Sequence, residues 1–362
     1  MIIVLFVAGI VLLVFGADLL VRGAASLAAG LGVPSLIIGL TIVAAGTSSP
    51  EIAVSLQSAF MGQGAITLGN IVGSNIANVM LILGLAAMFG PLPVDRQIFR
   101  RDLPAMIGAS LLTWMLALDR VLSRVDGTIM LLGLAGYIWM MWPRSAQSNQ
   151  PPRHHQHQQR WHVLVLQLAM IVGGLALLVV GARWLVDGAV TIATWLGVSE
   201  LIIGLTIVAV GTSLPEIATS VIAGLHGERD IAVGNVIGSN VLNLLFVLAL
   251  TMVLSPQPIA VPEVTVWLDL PVMVGAALIC LPIFFSRRLV SRREGGLLLT
   301  YYLSYTIYLI LSANGSAGLP LYNAIVGLLL VPIIVVLLVV RALRWLGEER
   351  RRQLATETST VE

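Results

Sequence analysis

Gly46-Thr47-Ser48-Ser49-Pro50-Glu51 recurs 165 residues later as Gly211-Thr212-Ser213-Leu214-Pro215-Glu216. Each copy lies in a long apolar run and sets a helix break directly before a carboxylate. Proline has no N–H and its ring clashes with the carbonyl four residues back, so Pro50 frees the carbonyl of Gly46 and Pro215 that of Gly211. Irregular backbone inside a bilayer survives only within protein or beside a water-filled cavity. A glutamate at that depth is costly and marks an ion or substrate path. Freed carbonyls, hydroxyls and a carboxylate at one point form a nest of hard oxygen ligands, and the pattern therefore predicts a cation site.

The surroundings of the motif establish the class. The chain has 362 residues, of which 58% are hydrophobic and 10% charged, and its mean hydropathy is +0.97. A soluble domain of this size cannot hide so much apolar surface, so the sequence describes a polytopic membrane protein. All 20 basic residues are arginine. The lone cysteine, Cys280, lies in an apolar run and reads as packing. Met1 to Phe15 carries no basic leader and is expected to open the first spanning helix.

With about 20 apolar residues needed to cross a bilayer, spans fall near 2–29, 34–61, 65–89, 103–118 and 126–142, and then near 161–194, 199–225, 230–254, 265–285 and 294–312. A further span lies at 321–346. The expected organisation is a first five-helix repeat (1–142), a polar cytoplasmic linker (143–160), a second five-helix repeat (161–312), the extra helix and a charged tail (347–362). The linker contains Pro151-Pro152 and the histidines His154, His155 and His157, and reads as a solvated hinge.

Residues 33–55 and 198–220 share 18 identities in 23 positions, which marks the two groups as copies. A second stretch, Gly69-Asn70-Ile71-Val72-Gly73-Ser74-Asn75-Ile76-Ala77-Asn78, returns as Gly234-Asn235-Val236-Ile237-Gly238-Ser239-Asn240-Val241-Leu242-Asn243. An odd number of spans per copy forces the second to enter upside down. Inverted repeats of broken helices are a transporter architecture with the site at the midplane. The fold class expected is thus an all-α polytopic membrane protein, two inverted five-helix repeats plus one extra C-terminal transmembrane helix. Sixteen arginines fall on one side of this topology, at the 90–101, 143–160, 226–229 and 287–293 segments and the C-terminal end, against Arg120 and Arg124 on the other. The positive-inside rule places the N-terminus outside and the C-terminus in the cytoplasm.

The residues suited to a hard cation follow from their oxygens. Glu51 and Glu216 are brought together by the inverted symmetry, Thr47, Ser48, Thr212 and Ser213 flank them, and Ser74, Asn78, Ser239 and Asn243 project from the neighbouring helices. Ser74 and Asn78 share a helix face, as do Ser239 and Asn243. Serine and asparagine in membrane helices also act as interhelical glue, and Asn70, Asn75, Asn235 and Asn240 fit that role. No soft ligand joins the set, which argues against zinc or copper. On helices one and six, Asp18 and Arg22 are four apart and so are Arg183 and Asp187, with the signs exchanged; each is expected to pair within its helix.

The repeated Gly-Thr-Ser-x-Pro-Glu with Gly-Ser-Asn-x-x-Asn resembles the paired alpha-repeats of the cation/calcium exchanger superfamily, in particular its prokaryotic sodium/calcium exchanger branch. The resemblance runs from residue 1 to about 312 and is strongest over 33–79 and 198–244. It implies a secondary-active antiporter of the plasma (inner) membrane that moves calcium against sodium by alternating access, with helices one and six sliding past the remainder. It also implies Glu51 and Glu216 as central acidic ligands, backbone carbonyls from Thr47 and Thr212, and Ser48, Ser74, Asn78, Ser213, Ser239 and Asn243 completing the sites. Some relatives carry aspartate where this chain has Asn243, and its absence argues against potassium dependence. The eleventh helix is extra to the family's ten-helix core.

Calcium and sodium ions and the lipid bilayer are the partners expected; no resident cofactor, nucleic acid or enzymatic activity is. A proton/calcium exchanger is the nearest alternative, although that branch typically shows Gly-Asn-x-x-Glu at the motif. A passive cation channel would keep the same ligands. An intramembrane hydrolase using Ser and Glu would have no histidine near the motifs and no lysine to activate its serine.

Overall fold

The computed structural model of the chain describes residues 2–141, 161–197, 209–313, 315–316, 319–320 and 322. The linker 143–160, the first part of the seventh span, the 321–346 helix apart from Tyr322, and the tail 347–362 lie outside the described residues. Most of the described residues are helical. In order come α1 (Ile2–Leu31), α2 (Ser35–Thr47), α3 (Ser49–Phe60), α4 (Gly64–Phe89), α5 (Leu103–Leu116) and α6 (Arg124–Met141). The second half supplies α7 (Trp161–Trp195), α8 (Leu214–Leu225), α9 (Arg229–Leu254), α10 (Leu270–Arg287) and α11 (Arg292–Ala313). Among the described residues six helices are long and apolar enough to cross a membrane, and α2 with α3 makes a seventh span bent by 43°.

Two packing units divide the bundle. The central unit is built on α4 and α9, 78% buried over their most apolar stretches, with α5, α6, α10 and α11 around them. The second unit is the α1–α7 pair at the periphery, where the corresponding burial is only 28% and 22%. Glycines at a seven-residue spacing let these two helices touch backbone to backbone. A Cβ at Gly9 would lie 2.8 Å from the Gly181 carbonyl oxygen, and one at Gly16 would lie 2.8 Å from that of Gly174. Without side chains in the seam the pair can pack as one body. It rests on the central unit through small and aliphatic residues of α2, α8 and α9, among them Ile38, Val43, Ala223 and Ile231.

The inverted symmetry extends well beyond the motifs. Four two-residue strands, β1 (Leu92–Pro93), β2 (Val121–Leu122), β3 (Ile259–Ala260) and β4 (Leu289–Val290), pair antiparallel as β1–β4 and β2–β3. A single helix, α5, lies between β1 and β2, so the two ribbons lie at its opposite ends. Each ribbon joins one loop of the first repeat to one of the second. Arg120 and Arg288 adopt left-handed backbone with φ of 67° and 49°, and their carbonyls accept from Val261 N–H (2.9 Å) and Val94 N–H (2.8 Å) respectively. Ser123 with Asp126 and Ser291 with Glu294 form matching boxes at the starts of α6 and α11, at 2.7 Å and 2.6 Å from serine N–H to carboxylate. A tyrosine hydroxyl donates to an aspartate in each half, buried Tyr137 to Asp102 (3.1 Å) and half-buried Tyr305 to Asp269 (2.8 Å). Asp102 and Asp269 each close a π-turn that feeds a Leu-Pro helix start, where the missing proline N–H is no loss.

If backbone contact joins α1 to α7, any side chain at that seam should be expensive. Gly16→Val should destabilise the protein by about 2 kcal/mol through overpacking, whereas Gly136→Ala, which meets nothing within 4 Å, should be neutral. Thermal unfolding in detergent distinguishes the two; equal melting temperatures would contradict the close-packed seam.

Candidate cation site

The two Gly-Thr-Ser-x-Pro-Glu motifs break their helices at the serine. Ser48 (φ −76°, ψ 7°) and Ser213 (φ −89°, ψ 7°) interrupt the backbone, and α3 and α8 restart with proline in their first turn. Proline suits that turn because its N–H would be unpaired there in any case. Glu51 and Glu216 therefore stand in the first turns of two half-helices, where unpaired N–H groups and the helix dipole favour an anion. Both glutamates are fully buried.

Hydroxyls from the opposite repeat hold each carboxylate. Ser213 Oγ donates to Glu51 Oε1 at 3.2 Å, and Ser48 Oγ donates to Glu216 Oε1 at 3.3 Å. Ser74 Oγ adds a second bond to Glu51 Oε1 at 3.3 Å. The crossing continues one layer out. Thr47 Oγ1 donates to Asn235 Oδ1 (3.1 Å), whose amide donates to Ser220 Oγ (3.0 Å). In mirror image, Thr212 Oγ1 donates to Asn70 Oδ1 (3.2 Å), whose amide donates to Ser55 Oγ (2.9 Å) and to the Glu51 carbonyl (3.2 Å). Asn78 reaches across as well, donating to Asn240 Oδ1 at 3.1 Å. Asn75 turns back on its own helix, to the Ile71 carbonyl at 2.7 Å.

The ten singled-out residues lie at the helix breaks and on the neighbouring α4 and α9, and hydrogen bonds join Ser48 to Glu216 and both Ser74 and Ser213 to Glu51. Thr47, Ser48, Glu51, Ser74, Asn78, Ser213, Glu216, Ser239 and Asn243 are all buried, and Thr212 is half-buried. Asn78 and Asn243 each begin a π-turn, Asn78–Leu83 and Asn243–Leu248, a wide turn that often marks a functional position in a helix. Among these residues Glu51 Oε2, Glu216 Oε2, Asn78 Oδ1, Ser239 Oγ and Asn243 Oδ1 have no protein hydrogen-bond partner. Buried oxygens are almost always paired. Five are without a partner here, two of them on carboxylates, and all five are hard oxygens of the kind a calcium ion takes as ligands.

Two details differ from the sequence reading and one extends it. The Gly46 carbonyl released by Pro50 accepts from Ser49 Oγ at 2.6 Å, so it is capped locally. Asn70 and Asn235 act as the interhelical glue expected of them, and the glue runs between the repeats, since each ties a threonine of one to a serine of the other. The charged pairs on α1 and α7 also part company. Arg22 Nε lies 3.0 Å from Asp18 Oδ1, and His226 Nε2 is 3.2 Å from the same oxygen. Arg183 and Asp187 are both exposed, and no ion pair joins them among the described residues. The order explains it: an acid four residues before a base pairs better along a helix than the reverse.

Comparison with known proteins follows the same outline. The sequence model of the family described as "Sodium/calcium exchanger protein" matches residues 1–142 and 166–311. The putative antiporter CaxA of Alkalimonas amylolytica is 38% identical over 318 residues, covering 84% of this chain and 97% of its own. The sodium/calcium exchanger MaX1 of Methanosarcina acetivorans is 31% identical over 345 residues, covering 83% and 96%. Among solved structures, the sodium-calcium exchanger NCX_Mj soaked with 10 mM Na+ and zero Ca2+ superposes with a TM-score of 0.73 at 30% identity, over 84% of this chain and 98% of its own.

Severing the outer layer should loosen the contact between repeats. Replacing Asn235 by leucine leaves the Thr47 and Ser220 hydroxyls without their shared partner, and the expected cost is about 1–2 kcal/mol. Asn70→Leu should cost a similar amount, because its chain of bonds is the mirror image. Unfolding in detergent measures both, and an unchanged stability in either variant would contradict the mirrored arrangement.

Proposed function

The chain belongs to the sodium/calcium exchanger family, and from that premise we propose that it exchanges sodium for calcium through the paired-glutamate site, by alternating access. It is an integral membrane protein, a cation/calcium antiporter and not an enzyme, with sodium and calcium ions as the transported substrates of its family. The observation that carries the proposal is the crossed pair of buried carboxylates, each bonded through one oxygen to a hydroxyl of the opposite repeat and each keeping the other oxygen free of protein partners. Glu51 and Glu216 are the charged ligands. Ser48, Ser74, Asn78, Ser213, Ser239 and Asn243 supply neutral oxygens, with backbone carbonyls from Thr47 and Thr212.

Sodium is favoured over protons as the coupling ion by the Gly-Thr-Ser-x-Pro-Glu motif and by the exchange named for MaX1. Asn243 brings an amide oxygen but no charge, which favours potassium-independent exchange. The hydrolase and channel alternatives fall with the family assignment. Placement in the inner membrane accords with a 38% identical relative named inner membrane protein YrbG of Escherichia coli. The arginine distribution supports an outer N-terminus.

Charge sets the coupling. Two ionised carboxylates balance one calcium ion, and the more than two sodium ions that the resemblance implies would leave the site with net positive charge. Each cycle then carries charge across the membrane, worth about 2.3 kcal/mol per charge per 100 mV.

The test is sodium-driven calcium flux in reconstituted vesicles, with sodium, potassium and proton gradients imposed one at a time. Calcium should follow the sodium gradient, and a proton gradient alone driving the same flux would replace the proposal with proton/calcium exchange. Glu51→Gln or Glu216→Gln should each abolish most of the flux in folded, inserted protein, since a dehydrated divalent ion in low dielectric needs compensating charge. A wild-type rate in either variant would remove that glutamate from the site. Setting the membrane potential with an independent ionophore should change the final calcium gradient; indifference to the potential would mean electroneutral exchange.

A further inference from the structure

In the helices of this protein a threonine hydroxyl ordinarily bonds back to the carbonyl four residues earlier: Thr41 to Ile37 (2.6 Å), Thr113 to Ala109 (2.8 Å), Thr251 to Val247 (2.6 Å) and Thr306 to Tyr302 (2.9 Å). Thr219 does not. Its side chain is fully buried and its Oγ1 has no hydrogen-bond partner. A buried hydroxyl left unpaired when a carbonyl is within reach is costly, and its position on α8 says what it is aimed at.

Thr219 lies one helical turn beyond Glu216, on the side of α8 that leads away from the site. Glu216, Thr219 and Ala223 recur at three- and four-residue spacing and share a face, and His226 continues the row at the helix end. Ser220, on one flank, is engaged by Asn235 of α9. Ala218 and Ile222, on the other flank, pack against the cluster of the α1–α7 pair. Thr219 thus sits in the seam between the central unit and that pair. At the end of the seam Asp18 of α1, paired with Arg22, also meets His226, beside a cavity of about 350 Å³ that Val21, Arg22, Ala25 and Glu228 line with it.

The first repeat has no such group. The counterpart of Thr219, 165 residues earlier, is Val54, which is only half-buried, and the counterpart of His226 is Met61, which is exposed. The packing is unequal in the same sense. α1 packs along α8, whereas among the described residues α7 makes no comparable contact with α3. Among the described residues the seam at α8 is closed and the one at α3 is not.

We propose that Thr219 is a further cation-coordinating residue, a hydroxyl ligand that a hard cation meets between Glu216 and the arginine-rich face once α1 moves off α8. It serves exchange at that face alone, since the first repeat offers valine in its place. The inference rests on the paired-glutamate reading of the site and adds a residue to it.

The experiment is calcium–calcium exchange without sodium, in oriented vesicles of the full chain, with radiolabelled calcium offered from one face at a time. Thr219→Val keeps the size and removes the hydroxyl. It should raise the KM for calcium about fivefold at the arginine-rich face and leave the opposite face unchanged, while Thr219→Ser keeps both near wild type. Val54→Thr supplies the missing hydroxyl to the first repeat and should lower KM at the opposite face only, which tests the assignment even if Thr219→Val folds poorly. A KM unchanged at both faces, or raised equally at both, overturns the role of Thr219 and leaves the glutamate site standing. No calcium exchange by the wild-type chain would overturn the site itself, and this inference with it.

Discussion

Two carboxylates placed in the apolar centre of a bundle constrain everything around them. An ionised carboxylate taken out of water without compensation is very costly, so the chain must deliver donors to Glu51 and Glu216 in a region where helices have none to spare. Breaking the helix before each glutamate is the solution found here. The breaks at Ser48 and Ser213 release hydroxyls that would otherwise turn back on their own helices, and these cross to the opposite carboxylate. The donors satisfy one oxygen of each glutamate and leave the other without a protein partner. Replacing the prolines would therefore disturb the site by restoring helix, without touching a ligand.

Because each repeat supplies donors to the other, neither half can form the site alone. The Thr47–Asn235–Ser220 and Thr212–Asn70–Ser55 chains bind the halves together around it. The buried centre contrasts with the α1–α7 pair, whose glycine seam lets it pack as one body against α2, α8 and α9. A single packed unit beside a fixed site is the division that alternating access requires. The symmetry is broken where that unit meets the core: Asp18, Arg22 and His226 join on one side, and Arg183 and Asp187 stand apart on the other.

Much of this was legible in the sequence. Proline followed by glutamate inside an apolar run admits few readings, and its repetition with Gly-Ser-Asn-x-x-Asn marked the inverted halves and the residues at their centre. What escaped reading were partners far apart in the chain. Nothing local shows that Asn70 would meet Thr212 or that Asn235 would meet Thr47, because a short polar side chain in a membrane helix looks the same whether it bonds forward, back or across. The Asp102–Tyr137 and Asp269–Tyr305 pairs were missed for the same reason, their repeat being diluted by unlike neighbours. The charged pairs on α1 and α7 were read as equivalent, although the reversed order of Arg183 and Asp187 weakens the second. The linker and, apart from Tyr322, the 321–346 helix fall outside the described residues.

The central claim is that one set of oxygens, anchored by Glu51 and Glu216, holds calcium and sodium by turns. Equilibrium binding of radiolabelled calcium to the purified protein, titrated with sodium at constant ionic strength, addresses it directly. Sodium should displace calcium completely and cooperatively, with a Hill coefficient above one, because more than one sodium ion takes the place of each calcium. Calcium that stays bound at saturating sodium, or binding that persists when both glutamates are replaced by glutamine, would contradict a shared site.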